Sequence, residues 1–117
     1  MYEYMLLNIN DVQFNVKTLI TEKDKSTGMM NKKFDNPNDG LLFISEPKQQ
    51  SFWMKNCIIP LDIIMINNRK INKIHHNCPP CETDECRRYM GYGSMVLELQ
   101  GGTCSKLEIK EGDKISF

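Results

Sequence analysis

The chain has 117 residues, of which 40% are hydrophobic and 26% charged, and its 15 lysines and arginines balance its 15 aspartates and glutamates. This length and balance predict a single globular domain, residues 1–117, around one hydrophobic core. The neutral net charge and the absence of a basic stripe argue against a nucleic-acid partner. The longest apolar run, residues 63–66, is far too short for a membrane span.

The first ten residues lack the basic start and the small-residue cleavage site of a secretory signal. The sequence as written therefore predicts a cytoplasmic protein. It contains no alanine and is rich in asparagine, lysine and isoleucine. That bias is typical of AT-rich genomes, such as those of many viruses and some bacteria.

The N-terminal segment predicts a β-hairpin followed by a short helix. Strands over residues 2–9 and 12–20 flank Asn10-Asp11, two turn residues that tolerate positive φ. Thr21 is a typical helix N-cap, and Gly28 fits the left-handed position just past a helix. We therefore expect a helix of about two turns between them.

Short strands separated by turns dominate the rest of the chain. We expect strands at residues 41–45, 52–57, 61–67, 71–74, 95–99 and 114–117, a short helix near 105–107, and a long connection from 78 to 93. With about eight short strands and two or three short helices, the pattern predicts a mainly β fold, either a small barrel or a sandwich.

One run stands out by its residues: Phe-Trp-Met-Lys-Asn-Cys-Ile-Ile-Pro-Leu-Asp, from Phe52 to Asp62. It resembles the signature of the family called Domain of Unknown Function 192. Elements at residues 28–30, 40–43, 96–99 and 112–113 resemble further family elements in the same order, and Cys81, Cys86 and Tyr89 resemble its paired-cysteine loop. The resemblance covers nearly the whole chain and implies a compact β fold with no established activity.

The chain departs from the family pattern in three ways. Family members often begin with an export signal, which this sequence lacks. Cys57 stands where the family usually has threonine, and Cys78 is an additional cysteine. Cys57 and Cys104 are most simply interpreted as buried apolar residues.

The run also places charges inside apolar sequence. Lys55 and Asp62 lie within it, and Glu98 is a third such charge. A buried charge needs a partner, a ligand or water. One interpretation pairs Lys55 with Asp62 or Glu98 beneath Trp53. The other is a ligand pocket built from Trp53, Lys55, Asn56, Asp62 and Glu98, with the indole stacking on the ligand.

Three function hypotheses follow. The first is a binding or accessory module for an unidentified small molecule or protein, with its pocket around the run from Phe52 to Asp62. The second is an enzyme that uses Lys55 with the carboxylates of Asp62 and Glu98. The third is a purely structural protein with a cysteine-stapled loop. Catalytic residues stay unassigned, because the sequence has no Ser-His-Asp pattern, Gly-rich phosphate loop or metal-binding helix motif.

The cysteines of the long connection leave several alternatives open. Cys81 and Cys86 enclose four residues and predict a disulfide in an oxidising compartment, or plain thiols in the cytosol. Zinc is an alternative cofactor, held by Cys78, Cys81 and Cys86 with His76 or His75 as fourth ligand. The spacing Cys-Pro-Pro-Cys also allows thiol redox chemistry. No cofactor other than this alternative zinc is predicted.

Overall fold

A computed structural model describes residues 3–117 and contains one mixed seven-stranded sheet. Its strands are β1 (Glu3–Ile9), β2 (Val12–Leu19), β3 (Asp39–Phe52), β4 (Leu61–Asn67), β5 (Lys70–Cys78), β6 (Tyr89–Gln100) and β7 (Ile115–Ser116). Its helices are α1 (Glu22–Thr27) and α2 (Thr103–Lys106). The mainly β prediction is therefore confirmed. The predicted first strand began at Tyr2, which lies outside the described residues.

The strand order across the sheet is β5-β4-β6-β3-β2-β1-β7. All neighbours are antiparallel except β2 and β3, which α1 connects in parallel. The sheet curls into a half-barrel. Its two edge strands, β5 and β7, approach each other at one end. There the amide of Ile71 donates to the carbonyl oxygen of Asp113 (2.8 Å), and that of Ile115 donates to the carbonyl oxygen of Arg69 (2.9 Å). These bonds satisfy backbone groups that an open sheet edge would expose.

Both faces of the central strands are buried, and six of the seven residues of β4 are buried, Asp62 among them. Because side chains alternate across a strand, the core divides into two clusters. The inner cluster contains Leu42, Ile64 and Leu97, and the outer cluster contains Leu41 and Ile63. Met29, just after α1, and Met54, in the connection after β3, belong to the outer cluster, and Cys81, in the connection after β5, packs against it. This outer layer positions the candidate site.

The N-terminal predictions are confirmed. Asn10 and Asp11 have φ values of 49° and 67°, as a tight hairpin between β1 and β2 requires. The hydroxyl of Thr21 accepts a hydrogen bond from the amide of Asp24 (3.2 Å) at the start of α1. Gly28 follows the helix at φ 44°. Local chemistry therefore determines this part of the fold.

The predicted strand over residues 52–57 is wrong. β3 continues through Pro47 and ends at Phe52, and a register shift between Ile44 and Lys48 accommodates the proline. From Trp53 to Cys57 the chain forms a loop in which only isolated bridges occur. The sheet therefore has seven strands, because two of the predicted strands are replaced by one long strand and this loop.

Neither helix within residues 3–117 is long and apolar enough to cross a membrane.

Candidate functional site

A cavity of about 530 Å³ opens on the outer face of the sheet, between α1, β3 and the loop that follows β3. Its lining includes aromatic side chains on the wall, an acidic group on β6 and cationic groups around them. The lining residues include Lys25, Phe43, Lys48, Phe52, Trp53, Lys55, Cys57, Arg88 and Glu98. They come from five separate segments of the chain.

The aromatic wall is built from β3 and the residue after it. The rings of Phe43 and Phe52 meet edge to face, with centroids 4.8 Å apart and an interplanar angle of 86°. Trp53 is half-buried beside them, and the guanidinium carbon of Arg88 lies 4.1 Å from its ring centroid. This cation–π contact holds Arg88 against the cavity wall.

Glu98 contributes a buried carboxyl to the cavity. It is 4% exposed, and its neighbours across the sheet are Leu41 of β3 and Ile63 of β4. Among residues 3–117, no side chain or backbone group forms a hydrogen bond or an ion pair with this carboxyl. Burial raises the pKa of Glu98 from its ordinary value of 4.5 to about 8. At neutral pH the group is therefore mainly a neutral acid, which can donate a hydrogen bond.

Lys55 also lines the cavity, but its ammonium points to the loop after β5. Its Nζ lies 2.7 Å from Oδ1 of Asp84 and 2.7 Å from the carbonyl oxygen of Thr83. The hydrogen bond and charge of Lys55 lower the pKa of the exposed Asp84 carboxyl. The interpretation in which Lys55 pairs with Asp62 or Glu98 is therefore wrong.

Asp62 lies outside the cavity and has a structural role. It is fully buried, and its carboxylate accepts hydrogen bonds from the amides of Asn77 (2.7 Å), Gly102 (3.1 Å) and Cys104 (2.8 Å). These bonds fasten the end of β5 and the start of α2 to β4. Asn56 is also outside the cavity, with an exposed side chain and φ of 59°. Of the five predicted pocket residues, the structure brings together Trp53, Lys55 and Glu98.

The cysteines divide into one bonded pair and three buried thiols. Cys81 and Cys86 form a disulfide. Cys57, Cys78 and Cys104 are free, and burial raises the pKa of Cys57 and of Cys78 to about 11. A disulfide is typical of an oxidising compartment, so the cytoplasmic prediction is not confirmed.

The alternative zinc site does not assemble in this form. Its two ligands Cys81 and Cys86 are bonded to each other, Cys78 is buried with its sulfur 3.5 Å from the carbonyl oxygen of His75, and His76 is exposed. Within the part of the chain that the structure describes, no group of three His, Cys, Asp or Glu side chains could hold a metal ion.

Sequence reasoning missed several cavity residues. Phe43 and Phe52 look like ordinary core residues, while Lys25, Lys48 and Arg88 look like ordinary surface charges. One usable signal was the set of separate family-like elements. Gly28 and Met30 belong to one element and Phe43 to another, and all three line the same cavity as Trp53 and Lys55.

The comparisons with known proteins agree with this fold. The model of the DUF192 family, described as an uncharacterized ACR, matches residues 5–117. No curated protein matches the chain.

Two solved structures are similar over nearly the whole chain. One is a protein of unknown function from Novosphingobium aromaticivorans DSM 12444, with 29% identity, a TM-score of 0.85, and coverage of 97% of this chain and 85% of that one. The other comes from Sinorhizobium meliloti 1021 and is described as a candidate transcription regulator, with 26% identity, a TM-score of 0.84, and coverage of 99% and 93%. Both sources are bacteria, and nothing supports the viral source that the composition suggested.

Proposed function

This chain belongs to the DUF192 family, and we propose that it is a binding module whose outer cavity takes a small amphipathic ligand with an aromatic body and an anionic group. The observation that carries the proposal is the unpartnered carboxyl of Glu98 in the cavity. Within residues 3–117 no fully enclosed side-chain oxygen or nitrogen lacks a hydrogen-bond partner, so the Glu98 oxygens open into the cavity. There the protonated acid could donate a hydrogen bond to a ligand oxygen.

The cavity walls support an aromatic ligand body. Phe43, Phe52 and Trp53 line the cavity. Small-molecule pockets are typically apolar in the same way, with a few precisely placed polar groups. A planar ring could pack against these side chains at the distances that aromatic pairs prefer.

The charges around the cavity support the anionic group. Lys25 and Lys55 each have a carboxylate partner, Glu22 at 3.9 Å and Asp84 at 2.7 Å. Within residues 3–117, Lys48 and Arg88 have no carboxylate within ion-pair distance. With Glu98 mainly neutral, the cavity therefore has an excess of positive charge that would attract an anion.

This geometry favours binding over catalysis. The enzyme hypothesis needs Lys55, Asp62 and Glu98 to face one another. Instead Lys55 bonds to Asp84, and Asp62 is used by backbone amides outside the cavity. A DNA-binding role, as the description of the Sinorhizobium protein would suggest, has no support in the balanced charge of this chain.

The test is a binding comparison of matched neutral and anionic aromatic compounds. Indoleacetate and phenylacetate would be compared with indoleacetamide and phenylacetamide by ligand-observed NMR and titration. We expect the carboxylates to bind about tenfold more tightly than the amides, because only they gain from Lys48 and Arg88. Equal affinity of the carboxylates and the amides would contradict the proposal that the ligand carries an anionic group. No binding by any of the four compounds would overturn the whole proposal.

Three variants sharpen the test. Glu98→Gln keeps a donor at neutral pH and should retain binding above pH 8, where the ionised wild-type Glu98 repels the ligand. Glu98→Leu removes the donor and should weaken binding at every pH. Glu85→Gln changes an exposed carboxylate outside the cavity and should behave like the wild type.

A further inference from the structure

The disulfide loop, residues 81–86, is joined directly to the cavity wall through Lys55. Every acceptor of the Lys55 ammonium lies between the two bonded cysteines: the carbonyl oxygens of Glu82 (3.5 Å) and Thr83 (2.7 Å) and Oδ1 of Asp84 (2.7 Å). Lys55 is thus both a cavity residue and the side chain that fastens this loop.

Backbone bonds strengthen the same junction. The amide of Asn56 donates to the carbonyl oxygen of Cys81 (2.9 Å), and the amide of Cys81 donates to the carbonyl oxygen of Met54 (3.2 Å). Cys81 and Lys55 form an isolated parallel bridge. One end of the disulfide loop therefore runs beside the stretch from Met54 to Asn56.

The other end of the loop leads to the indole. Arg88 follows Cys86 by two residues, and its guanidinium covers the ring of Trp53 at 4.1 Å. Since Trp53, Lys55 and Arg88 all line the cavity, both ends of the disulfide loop contact its wall.

Besides the disulfide, the loop is restrained by the Lys55 contacts and by the backbone bonds at Cys81. Within residues 79–88 no side chain is buried, and Cys81 and Cys86 are the least exposed. Cys81 packs against the outer cluster, but a segment with so few core contacts opens locally more readily than the strands around it. The covalent bond restricts that opening by shortening the flexible segment.

We propose that the disulfide between Cys81 and Cys86 is a redox switch for the cavity: the oxidised form holds Lys55 and Arg88 on its wall, and reduction releases them. In the reducing step a dithiol donates two electrons and two protons. The sulfur–sulfur bond of the protein breaks to two thiols, and the dithiol becomes a disulfide. The inference concerns regulation of the cavity and rests on the proposed function for the identity of what is regulated.

The indole itself provides a readout that needs no ligand, because Trp53 is the only tryptophan of the chain. Quenching of its fluorescence by acrylamide would be measured in the oxidised protein and after reduction by a phosphine, with thiol alkylation and mass spectrometry confirming the state of the pair. We expect the quenching constant to rise about twofold or more on reduction, as the cover of Arg88 is lost, and to recover on reoxidation.

The double variant Cys81→Ser, Cys86→Ser is the matched control. It should show the high quenching constant of the reduced protein from the start, and the phosphine should not change it, since the other cysteines are already free thiols. An unchanged constant in fully reduced wild-type protein would overturn the switch. Loss of hydrogen-exchange protection throughout β4 on reduction would overturn it too, because the bond would then stabilise the whole fold.

The experiments test the binding proposal and the redox-switch proposal independently. A negative ligand comparison leaves the quenching result intact, and a cavity that binds aromatic carboxylates equally in both redox states would refute only the switch.

Discussion

The ammonium of Lys55 lies 2.7 Å from Oδ1 of Asp84, a residue of the exposed disulfide loop. The lysine of the signature run therefore neutralises a loop carboxylate, and the buried acid Glu98 is left without a protein partner among the described residues. This arrangement separates the two charges that the sequence suggested as a pair. Lys55 thus fastens the loop, and Glu98 is the buried acid of the cavity.

The first prediction compares the two ends of that ion pair. Lys55→Met should raise amide hydrogen exchange across residues 81–88 about tenfold, because it removes the bonds to Asp84 and to two carbonyl oxygens together. Asp84→Asn keeps the carbonyl bonds and should raise exchange less. Equal effects of the two changes would show that the ion pair alone holds the loop.

The second prediction concerns the buried carboxylate of Asp62. Asp62→Ala should lower the free energy of unfolding by about 3 kcal/mol, because three backbone amides lose a charged acceptor at a fully buried position. Urea denaturation of the variant and of Asp11→Ala, a change at an exposed hairpin position, would measure this. A loss below about 0.5 kcal/mol, typical of surface substitutions, would contradict the structural role.

The third prediction is a pH dependence due to Glu98. Its folded pKa of about 8 lies above its ordinary value of 4.5, so the folded protein binds more protons than the unfolded chain between these values. Stability should therefore fall as pH rises through this window, by up to about 1.4 kcal/mol per pH unit, and level off above it. The thiols of Cys57 and Cys78 titrate near pH 11, outside the window.

Glu98→Gln should remove this slope, and Glu85→Gln, at an exposed position, should keep it. Urea denaturation at several pH values would compare the three proteins. The same slope in wild type and Glu98→Gln would mean that another group is responsible.

The fourth prediction tests the close approach of β6 to β4 at Gly93. A Cβ at this position would collide with the carbonyl group of Ile66, which belongs to the backbone and cannot rotate away. Gly93→Ala should therefore lower the free energy of unfolding by about 2 kcal/mol or more. Ser94→Ala, at the next position, is the control, and thermal and urea unfolding would measure both. A neutral Gly93→Ala would show that the strands can separate.

Features that depend on neighbouring residues could be predicted from the sequence. The hairpin at Asn10-Asp11, the helix capped by Thr21 and the mainly β class all follow from backbone preferences and alternation over a few residues. The family could likewise be inferred, because its signature is contiguous from Phe52 to Asp62. In the candidate site, Trp53, Lys55 and Glu98 could be named since aromatic and charged residues stand out in apolar sequence.

Features that depend on the path of the chain required the tertiary structure. Nothing local shows that β3 continues past Pro47, because the register shift that permits it depends on pairing with β6. Nothing local shows that Asp62 bonds to Asn77, Gly102 and Cys104, or that Lys55 reaches Asp84. The sequence by itself determined the fold class, the family and the presence of unusual charges. Which groups meet those charges was decided only in the folded chain, because electrostatic and hydrogen-bond partners are set by proximity in space, and the fold brings Asp62 to Cys104, 42 positions away.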